Sequence, residues 1–284
     1  MRDPVVVGTD GTAASRAAVR LAAREALSRA CTLQIVHAFT WPDPKSWPDP
    51  KSWPDPKSWP DPRTESGPGT DYASARGAAS RVLDEAVATA QRSTPGVDAR
   101  GQLRDGSPAR VLIGLSRTAA LVVVGGDGLA RLGSGSLVRT LVPDSWCPVI
   151  LARGPRPPVG PVLAAVDDSE FAALGLRFAA EEAALRGSAL YAVHVITTDR
   201  PETRAAADRL LAPVPPGSRR ILVGPPAATL VRLSRQAGLV VLGPRGAGGA
   251  RRLGSVAREV LRRGASPVVF AHEARRSAVV RPVH

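Results

Sequence analysis

The chain has 284 residues, of which 44% are hydrophobic and 22% are charged, and its formal net charge is +13. This length allows two domains of ordinary size, and the composition is that of a globular protein rather than a disordered one. The apolar runs are too short to cross a membrane and no secretory signal opens the sequence, which predicts a cytoplasmic protein with no membrane partner. Cys31 and Cys147 are too few for a disulfide framework.

The first predicted elements alternate between strand and helix. Residues 5–7 form a β-branched strand that ends in a Gly/Asp turn, and an alanine-rich helix follows with Thr12 or Ser15 as its N-cap. The apolar run LQIVHA is the second strand, and further helices are predicted at about residues 73–91 and from Pro108. The buried strand LVVVGG, another helix and the strand CPVILA complete a unit typical of a parallel sheet covered on both faces.

A hexapeptide array interrupts this unit after its second strand. WPDPKS occurs three times and then decays into WPDPRT at residues 59–64. The predicted repeat loop, residues 41–63, contains all three lysines and four of the five tryptophans. Each proline removes a backbone donor and fixes φ, which favours an extended backbone over a helix or a sheet. The array is therefore predicted to be an expanded loop, and a partner-binding tract is the alternative.

The remaining sequence is a tandem duplication. Residues 5–39 align without a gap with residues 162–196, so that Asp10 falls on Asp167. Later in each half, and in the same order, LVVVGGDG aligns with LVVLGPRG. In the second copy Asp168 or Ser169 is the predicted helix N-cap. The predicted fold class is α/β, with two tandem Rossmann-like domains that each contain a mainly parallel sheet with helices on both faces. The predicted boundaries are a first domain at 1–153, a linker at 154–161, a second domain at 162–272 and a basic tail at 273–284.

The residues that follow the strands carry the candidate chemistry. Ligands of open parallel sheets bind beyond the carboxyl ends of the strands, where the strand order reverses. Asp10 and Asp167 follow the first strands of their halves, and glycines with a later Gly-Ser pair follow the LVVVG and LVVLG strands. Glycines let backbone amides approach an anion, a helix start attracts phosphate, and a carboxylate accepts hydrogen bonds from ribose or base. These parts suit a nucleotide, although ordinary turns would explain the same glycines.

The order V-G-x-D-G-[ST], helix, V-H-[AV], G-x-P-A, L-V-V-[VL]-G-x-x-G, G-S-[VL], [CS]-P-V resembles that of the universal stress proteins. The resemblance covers nearly the whole chain outside the hexapeptide array and the tail. It implies a Rossmann-like fold and, in one branch of the family, ATP bound through G-x2-G-x9-G-[ST]. Here the spacer of nine is six in the first half and seven in the second, and the second hydroxyl of the motif is replaced by Val138 and Ala257.

The resemblance also implies a set of ligand contacts in each half. Asp10 and Asp167 would contact the ribose and adenine, with Ala38 and Val195 beside the base. The phosphates would be held by Gly125, Gly128, Gly135 and Ser136 in the first half and by Gly243, Gly246, Gly254 and Ser255 in the second. Within G-x-x-G the first half has Asp127 where the second has Arg245, which can pair with phosphate. The charges therefore predict that ATP occupies the second half first.

The resulting functional hypothesis is an adenine-nucleotide-binding stress-response protein that signals through its bound state. ATP is the expected ligand, with or without Mg²⁺, and the sequence offers no catalytic or metal-binding constellation, although slow hydrolysis stays open. The alternative is a stress protein that binds no nucleotide and acts by dimerisation or partner docking. The strands CPVILA and SPVVFA are expected to pair, within an intramolecular pseudo-dimer or a homodimer. Nucleic acid is not an expected partner, because no aromatic platform accompanies the nine arginines of residues 245–281.

Overall fold

The computed structural model describes residues 2–40, 72–126, 136–154, 159–243 and 253–272. The hexapeptide array, half of the predicted linker and the basic tail lie outside these residues. Within them, strands and helices alternate along both halves, as the sequence predicts. No helix in the described ranges is long and apolar enough to cross a membrane.

The elements of the first half begin with a short strand and an alanine-rich helix. In chain order they are β1 (Val5–Gly8), α1 (Ala13–Ser28), β2 (Leu33–Phe39), α2 (Tyr72–Ser93), β3 (Ala99–Asp105), α3 (Pro108–Leu115), β4 (Leu121–Gly125), α4 (Leu137–Asp144) and β5 (Val149–Ala152). The predicted cap of the first helix is confirmed, because Thr12 is the N-cap and its hydroxyl accepts a hydrogen bond from the Ser15 amide.

The second half repeats this order. Its elements are β6 (Val162–Ala165), α5 (Ala172–Arg186), β7 (Leu190–Ile196), α6 (Pro201–Leu211), β8 (Arg219–Val223), α7 (Pro226–Ser234), β9 (Leu239–Leu242), α8 (Ser255–Arg263) and β10 (Val268–Phe270). A short 3₁₀ turn at Pro216–Ser218 precedes β8. Helix α5 ends at Gly187, whose φ of 59° is left-handed, as expected for a glycine C-cap.

The predicted N-cap of α5 is wrong. Neither Asp168 nor Ser169 caps the helix, because α5 begins only at Ala172, with Phe171 at the N-cap position and no side-chain cap bond. The Ser169 hydroxyl instead donates to Oδ1 of Asp167 at 2.5 Å. Thr12 donates to Asp10 in the same way and still caps α1, so this bond does not prevent capping. The residues after Ser169 instead form a turn in which the Ala172 amide donates to the Ser169 carbonyl at 3.1 Å, and the helix begins after that turn.

All ten strands belong to one sheet with the order β3-β2-β1-β4-β5-β10-β9-β6-β7-β8. The neighbouring strands of each half are parallel. In the first half the chain runs outward from β1 to β3 and then returns to place β4 on the other side of β1. The strand order therefore reverses between β1 and β4, which is where ligands bind in sheets of this kind.

The two halves join through their last strands, as the sequence predicted. Strands β5 and β10 are antiparallel, with Ile150 opposite Val269 at the centre of the pairing. Each strand thereby covers the other's otherwise unpaired edge. The halves consequently form a single continuous sheet, which the prediction of two tandem domains did not state.

Two apolar layers cover this sheet, one on each face. One cluster packs α1, α2, α5 and α6 against the sheet, and the other packs α3, α4, α7 and α8. Both clusters draw residues from the two halves. Helix α1 lies close to the strands because its buried face consists largely of alanines, including Ala18, Ala22 and Ala26.

A group of two buried glutamates and two partly exposed arginines lies between α1 and α5. Arg29 pairs with Glu25 of its own helix and with Glu182 of the other half, and Arg186 pairs in the same way with Glu182 and Glu25. Burial raises the pKa of Glu182, and the Glu25 carboxylate adds to this effect, while the two arginines oppose it. Because Glu25 aligns with Glu182 and Arg29 with Arg186, the four residues form an arrangement that repeats between the halves.

Candidate functional site

A cavity with a volume of about 710 Å³ lies at the carboxyl ends of β1, β2 and β4. Its position is therefore the point at which the strand order of the first half reverses. It is lined by Gly8, Thr9, Asp10, Thr12, Ala13, Ala14, Ser15, Val36, His37, Ala38, Pro108, Leu112, Val124, Gly125, Ser136, Leu137 and Val138. Most of these residues are apolar, and the polar groups lie in the turn and first residues leading into α1, at the end of β2 and at the start of α4.

Asp10 is held at one end of the cavity by the turn that leads into α1. Its Oδ1 accepts hydrogen bonds from the Thr12 amide at 3.0 Å and from the Thr12 hydroxyl at 2.6 Å. Partial burial raises the pKa of this carboxyl, but the hydrogen bonds from Thr12 and Ser15 outweigh that effect and hold the pKa below its ordinary value. Asp10 is consequently an ionised acceptor at neutral pH.

Ser136 is the N-cap of α4 and lies at the other end of the cavity. Its side chain is buried, with 8% of the residue exposed, and Oγ has no hydrogen-bond partner in the described part of the chain. A buried hydroxyl without a partner costs free energy, on the order of 1–3 kcal/mol. The first backbone amides of a helix also lack intrahelical acceptors and attract anions. This end of the cavity is therefore suited to an anionic ligand.

Gly125 closes the floor of the cavity between β4 and the first turn of α1. A Cβ at this position would lie 2.8 Å from the carbonyl carbon of Ala14, a distance at which the backbone would have to move. The close approach of α1 and β4 thus requires glycine here. The next residue, Gly126, donates its amide to the Ala152 carbonyl at 2.9 Å, which ties the start of the loop to β5.

His37 and His194 have the same structural role in the two halves. His37 Nδ1 lies 2.8 Å from the Thr9 carbonyl, and His194 Nδ1 lies 2.8 Å from the Val166 carbonyl. A carbonyl only accepts hydrogen bonds, so Nδ1 carries the proton in each ring. Each histidine therefore fastens the end of the second strand to the turn after the first.

The structure brings four of the predicted residues of the first half together around the cavity: Asp10, Ala38, Gly125 and Ser136. Gly128 and Gly135 lie outside the described residues. Sequence reasoning missed the apolar wall formed by Val36 and Leu112. Their alternation along a strand and a helix indicates only burial, and it does not indicate which buried side chains face a cavity.

In the second half, Asp167 forms a turn like that of Asp10. Its Oδ1 accepts hydrogen bonds from the Ser169 amide at 3.2 Å and from the Ser169 hydroxyl. Val195 lies within β7, next to its last residue, Gly243 follows β9, and Gly254 is the N-cap of α8. Ser255 is exposed. Arg245 and Gly246 lie outside the described residues, so the predicted preference for this half stays a prediction.

The described ranges contain no cluster of side chains that could bind a metal ion. Among those residues no set of three or more histidine, cysteine, aspartate or glutamate side chains is placed to hold a metal ion. Cys147 is buried, and desolvation raises the pKa of its thiol to about 12. Such a thiol is a small apolar core residue at neutral pH.

Comparison with known proteins gives a consistent result for both halves. The model of the universal stress protein family matches residues 1–153, 159–215 and 202–272. A universal stress protein of Mycolicibacterium smegmatis is 31% identical over 298 residues, covering 93% of this chain and 95% of its own. One of Mycobacterium tuberculosis is 30% identical over 303 residues, covering 95% and 97%. The crystal structure of a universal stress protein from Archaeoglobus fulgidus superposes over 95% of this chain and 96% of its own, with a TM-score of 0.69 and 19% identity.

Proposed function

The chain belongs to the universal stress protein family, and we propose that it binds an adenine nucleotide, with ATP as the expected ligand, in the cavity of the first half. The observation that carries this proposal is the buried Ser136 hydroxyl, which lines the cavity at the start of α4 without a partner among the described residues. A phosphate oxygen would accept a hydrogen bond from this hydroxyl and further hydrogen bonds from the first amides of α4.

The opposite end of the cavity suits the nucleoside. The Asp10 carboxylate is ionised and has acceptor positions beyond the two bonds that Oδ1 receives from Thr12. Ribose hydroxyls donate hydrogen bonds to such a group. Because Asp10 precedes α1 whereas Ser136 precedes α4, one ligand with a sugar at one end and phosphates at the other can engage both.

The middle of the cavity suits a planar base. Val36, Leu112 and Val138 provide apolar contact, and Ala38 at the end of β2 leaves room beside them. A volume of about 710 Å³ falls within the range of roughly 300–1,000 Å³ usual for small-molecule sites. A nucleotide therefore matches the cavity in size as well as in polarity.

We propose that the protein signals through its nucleotide-bound state rather than through catalysis. Asp10 and His37 are the titratable residues among those that line the cavity, and each is engaged in fixing a turn or a strand end. Neither is placed as a free general base. We propose that the protein acts in the stress response by adopting a nucleotide-bound form that other components recognise.

Calorimetric titration of ATP into the full chain tests the proposal. We expect saturable binding that weakens about tenfold in Ser136→Ala, because an unmade hydrogen bond to a charged phosphate is worth roughly 1.5–3 kcal/mol. Ser266→Ala is the matched control, since Ser266 is also buried without a partner among the described residues but lies outside the cavity. It should bind ATP like the wild type.

An absence of binding at millimolar ATP would contradict the proposal and would favour a function in partner docking. Equal losses in Ser136→Ala and Ser266→Ala would show that a buried hydroxyl matters for folding rather than for phosphate. Thermal denaturation of both variants without ATP measures that contribution separately.

A further inference from the structure

The two halves differ in the size of the residues around the proposed site. Four cavity-lining residues of the first half are small, whereas the residues aligned with them are all larger. Gly8, Ala13, Ala14 and Ala38 line the cavity, and Ala165, Glu170, Phe171 and Val195 stand at the same positions of the second half. Three of these replacements, Ala165, Phe171 and Val195, add volume at partly buried positions, whereas Glu170 is exposed.

The first difference lies at the end of the first strand. A methyl group at Gly8 would approach Cδ1 of Leu112 to 3.1 Å and Cγ1 of Val124 to 3.6 Å. In the second half Ala165 carries this methyl group, and it packs against the apolar layer that includes Leu230. The methyl group of Ala165 therefore occupies space in the second half that Gly8 leaves open in the first.

The largest difference lies at the start of the helix that follows. Ala14 lies in the first turn of α1, where its backbone contacts Gly125 at the cavity floor. Phe171 stands at the aligned position, and it is partly buried. Helix α5 also begins two residues later than α1, because its first residue, Ala172, aligns with Ser15. A phenyl ring thus replaces a methyl group at a helix start that has also been unwound.

The phosphate end of the site differs as well. Ser136 is buried and faces a cavity with an unsatisfied hydroxyl, whereas its counterpart Ser255 is exposed to solvent. An exposed hydroxyl is already satisfied by water, so it gains less from binding a phosphate. Gly254, the N-cap of α8, has no atom within 4 Å of the position of a Cβ, which also indicates an open surface.

We infer that the halves have diverged in function: the first half takes the nucleotide, and Phe171 with its neighbours excludes it from the second, so that each chain binds one ATP. This inference rests on the function proposed above. It attributes the choice of the first half to packing. The charges of Asp127 and Arg245 predict the opposite choice from the sequence. A phenyl ring in the space that Ala14 leaves open in the first half would have to move before any attraction to arginine could act.

Native mass spectrometry and calorimetry of the full chain with ATP test the inference. We expect one ATP per chain, an affinity loss of about tenfold or more in Asp10→Ala, and a change of less than about twofold in Asp167→Ala. Ala14→Phe places the second-half residue in the first half and should lower ATP affinity at least about tenfold. Phe171→Ala, the reciprocal change, should admit a second ATP.

Ala38→Val is the smaller transplant, and it keeps the test decisive if Ala14→Phe does not fold. It places the Val195 side chain beside the proposed base and should also weaken ATP binding. Two ATP molecules of similar affinity per wild-type chain, or a greater loss in Asp167→Ala than in Asp10→Ala, would overturn the inference while leaving nucleotide binding intact. A wild-type chain that binds no ATP would overturn both proposals.

Discussion

At the residue scale, Asp10 and Ser136 differ in whether the protein itself satisfies their hydrogen bonds. Asp10 is satisfied by its own turn, through Thr12, before any ligand arrives. Ser136 is not satisfied by any described residue, although it is buried. The sequence motif predicts both residues equally well, because it contains no measure of burial. The unsatisfied hydroxyl is the stronger indication of a ligand, since protein interiors seldom leave polar groups unpaired.

The ionisation of Asp10 gives a prediction for the pH dependence of binding. Its pKa lies below the ordinary value, so the carboxylate and its bonds to Thr12 persist above that value and are lost only as the pH falls through the lowered pKa. We expect the ratio of ATP affinities of wild type and Asp10→Asn to stay constant between pH 8 and about pH 5. Calorimetry at several pH values in one ionic strength measures this ratio.

A decline of that ratio between pH 7 and pH 6 would contradict the assignment, because it would require a raised pKa. His37→Gln serves as the control for the other titratable group of the cavity. The ratio measured in the His37→Gln background isolates the contribution of the Asp10 carboxylate.

At the scale of elements, α1 and α5 are joined by the buried carboxylates of Glu25 and Glu182 and the partly exposed guanidinium groups of Arg29 and Arg186. Each arginine bridges its own helix and the other half. Removal of one member of such a group leaves a buried charge without its partner, which typically costs about 3–5 kcal/mol. The four residues therefore fix how the halves meet, whatever their net contribution to stability.

Glu182→Gln should lower the unfolding free energy by about 3 kcal/mol, because Arg29 and Arg186 would then share the single carboxylate of Glu25. Glu259→Gln is the matched control, since Glu259 pairs with Arg262 and Arg263 on the surface of α8. Its loss should cost less than about 1 kcal/mol. Urea denaturation of the three proteins measures the difference, and similar losses in the two variants would refute the structural role of the buried group.

The start of α5 shows where prediction from sequence fails at this scale. Asp168 and Ser169 have the side chains of good N-caps, and the duplication places Ser169 at the position of the actual cap Thr12. The helix nevertheless begins at Ala172. Thr12 and Ser169 each donate to the preceding aspartate, so that bond does not separate the two cases. The chain first makes a turn closed by the Ala172 amide on the Ser169 carbonyl, and residue preferences for N-caps do not show that such a turn delays the helix.

At the scale of the whole molecule, the duplication and the alternation of strands and helices were sufficient to predict the α/β fold. They also predicted the pairing of β5 with β10, because two apolar edge strands at the ends of the halves need cover. The charged group between α1 and α5 was not predicted, although Glu25 and Glu182 align. Its contacts depend on the relative orientation of the halves, which the alignment of one half on the other does not contain.

Part of the candidate site could also be predicted from the sequence. Position after a strand identified Asp10 and Gly125, and a motif identified Ser136. The choice between the halves was not accessible in the same way, because it depends on the space around Ala14 and Phe171. Sequence charges suggested the second half, whereas the packing of the described residues favours the first.

Amide hydrogen exchange of the full wild-type chain, with and without saturating ATP, tests the central claim most directly because it reports binding and its place together. The account predicts slower exchange in the turn after β1, at the end of β2 and at the start of α4, with little change around Asp167 and at the start of α8. Slower exchange confined to the second-half segments, or no change anywhere at millimolar ATP, would contradict it.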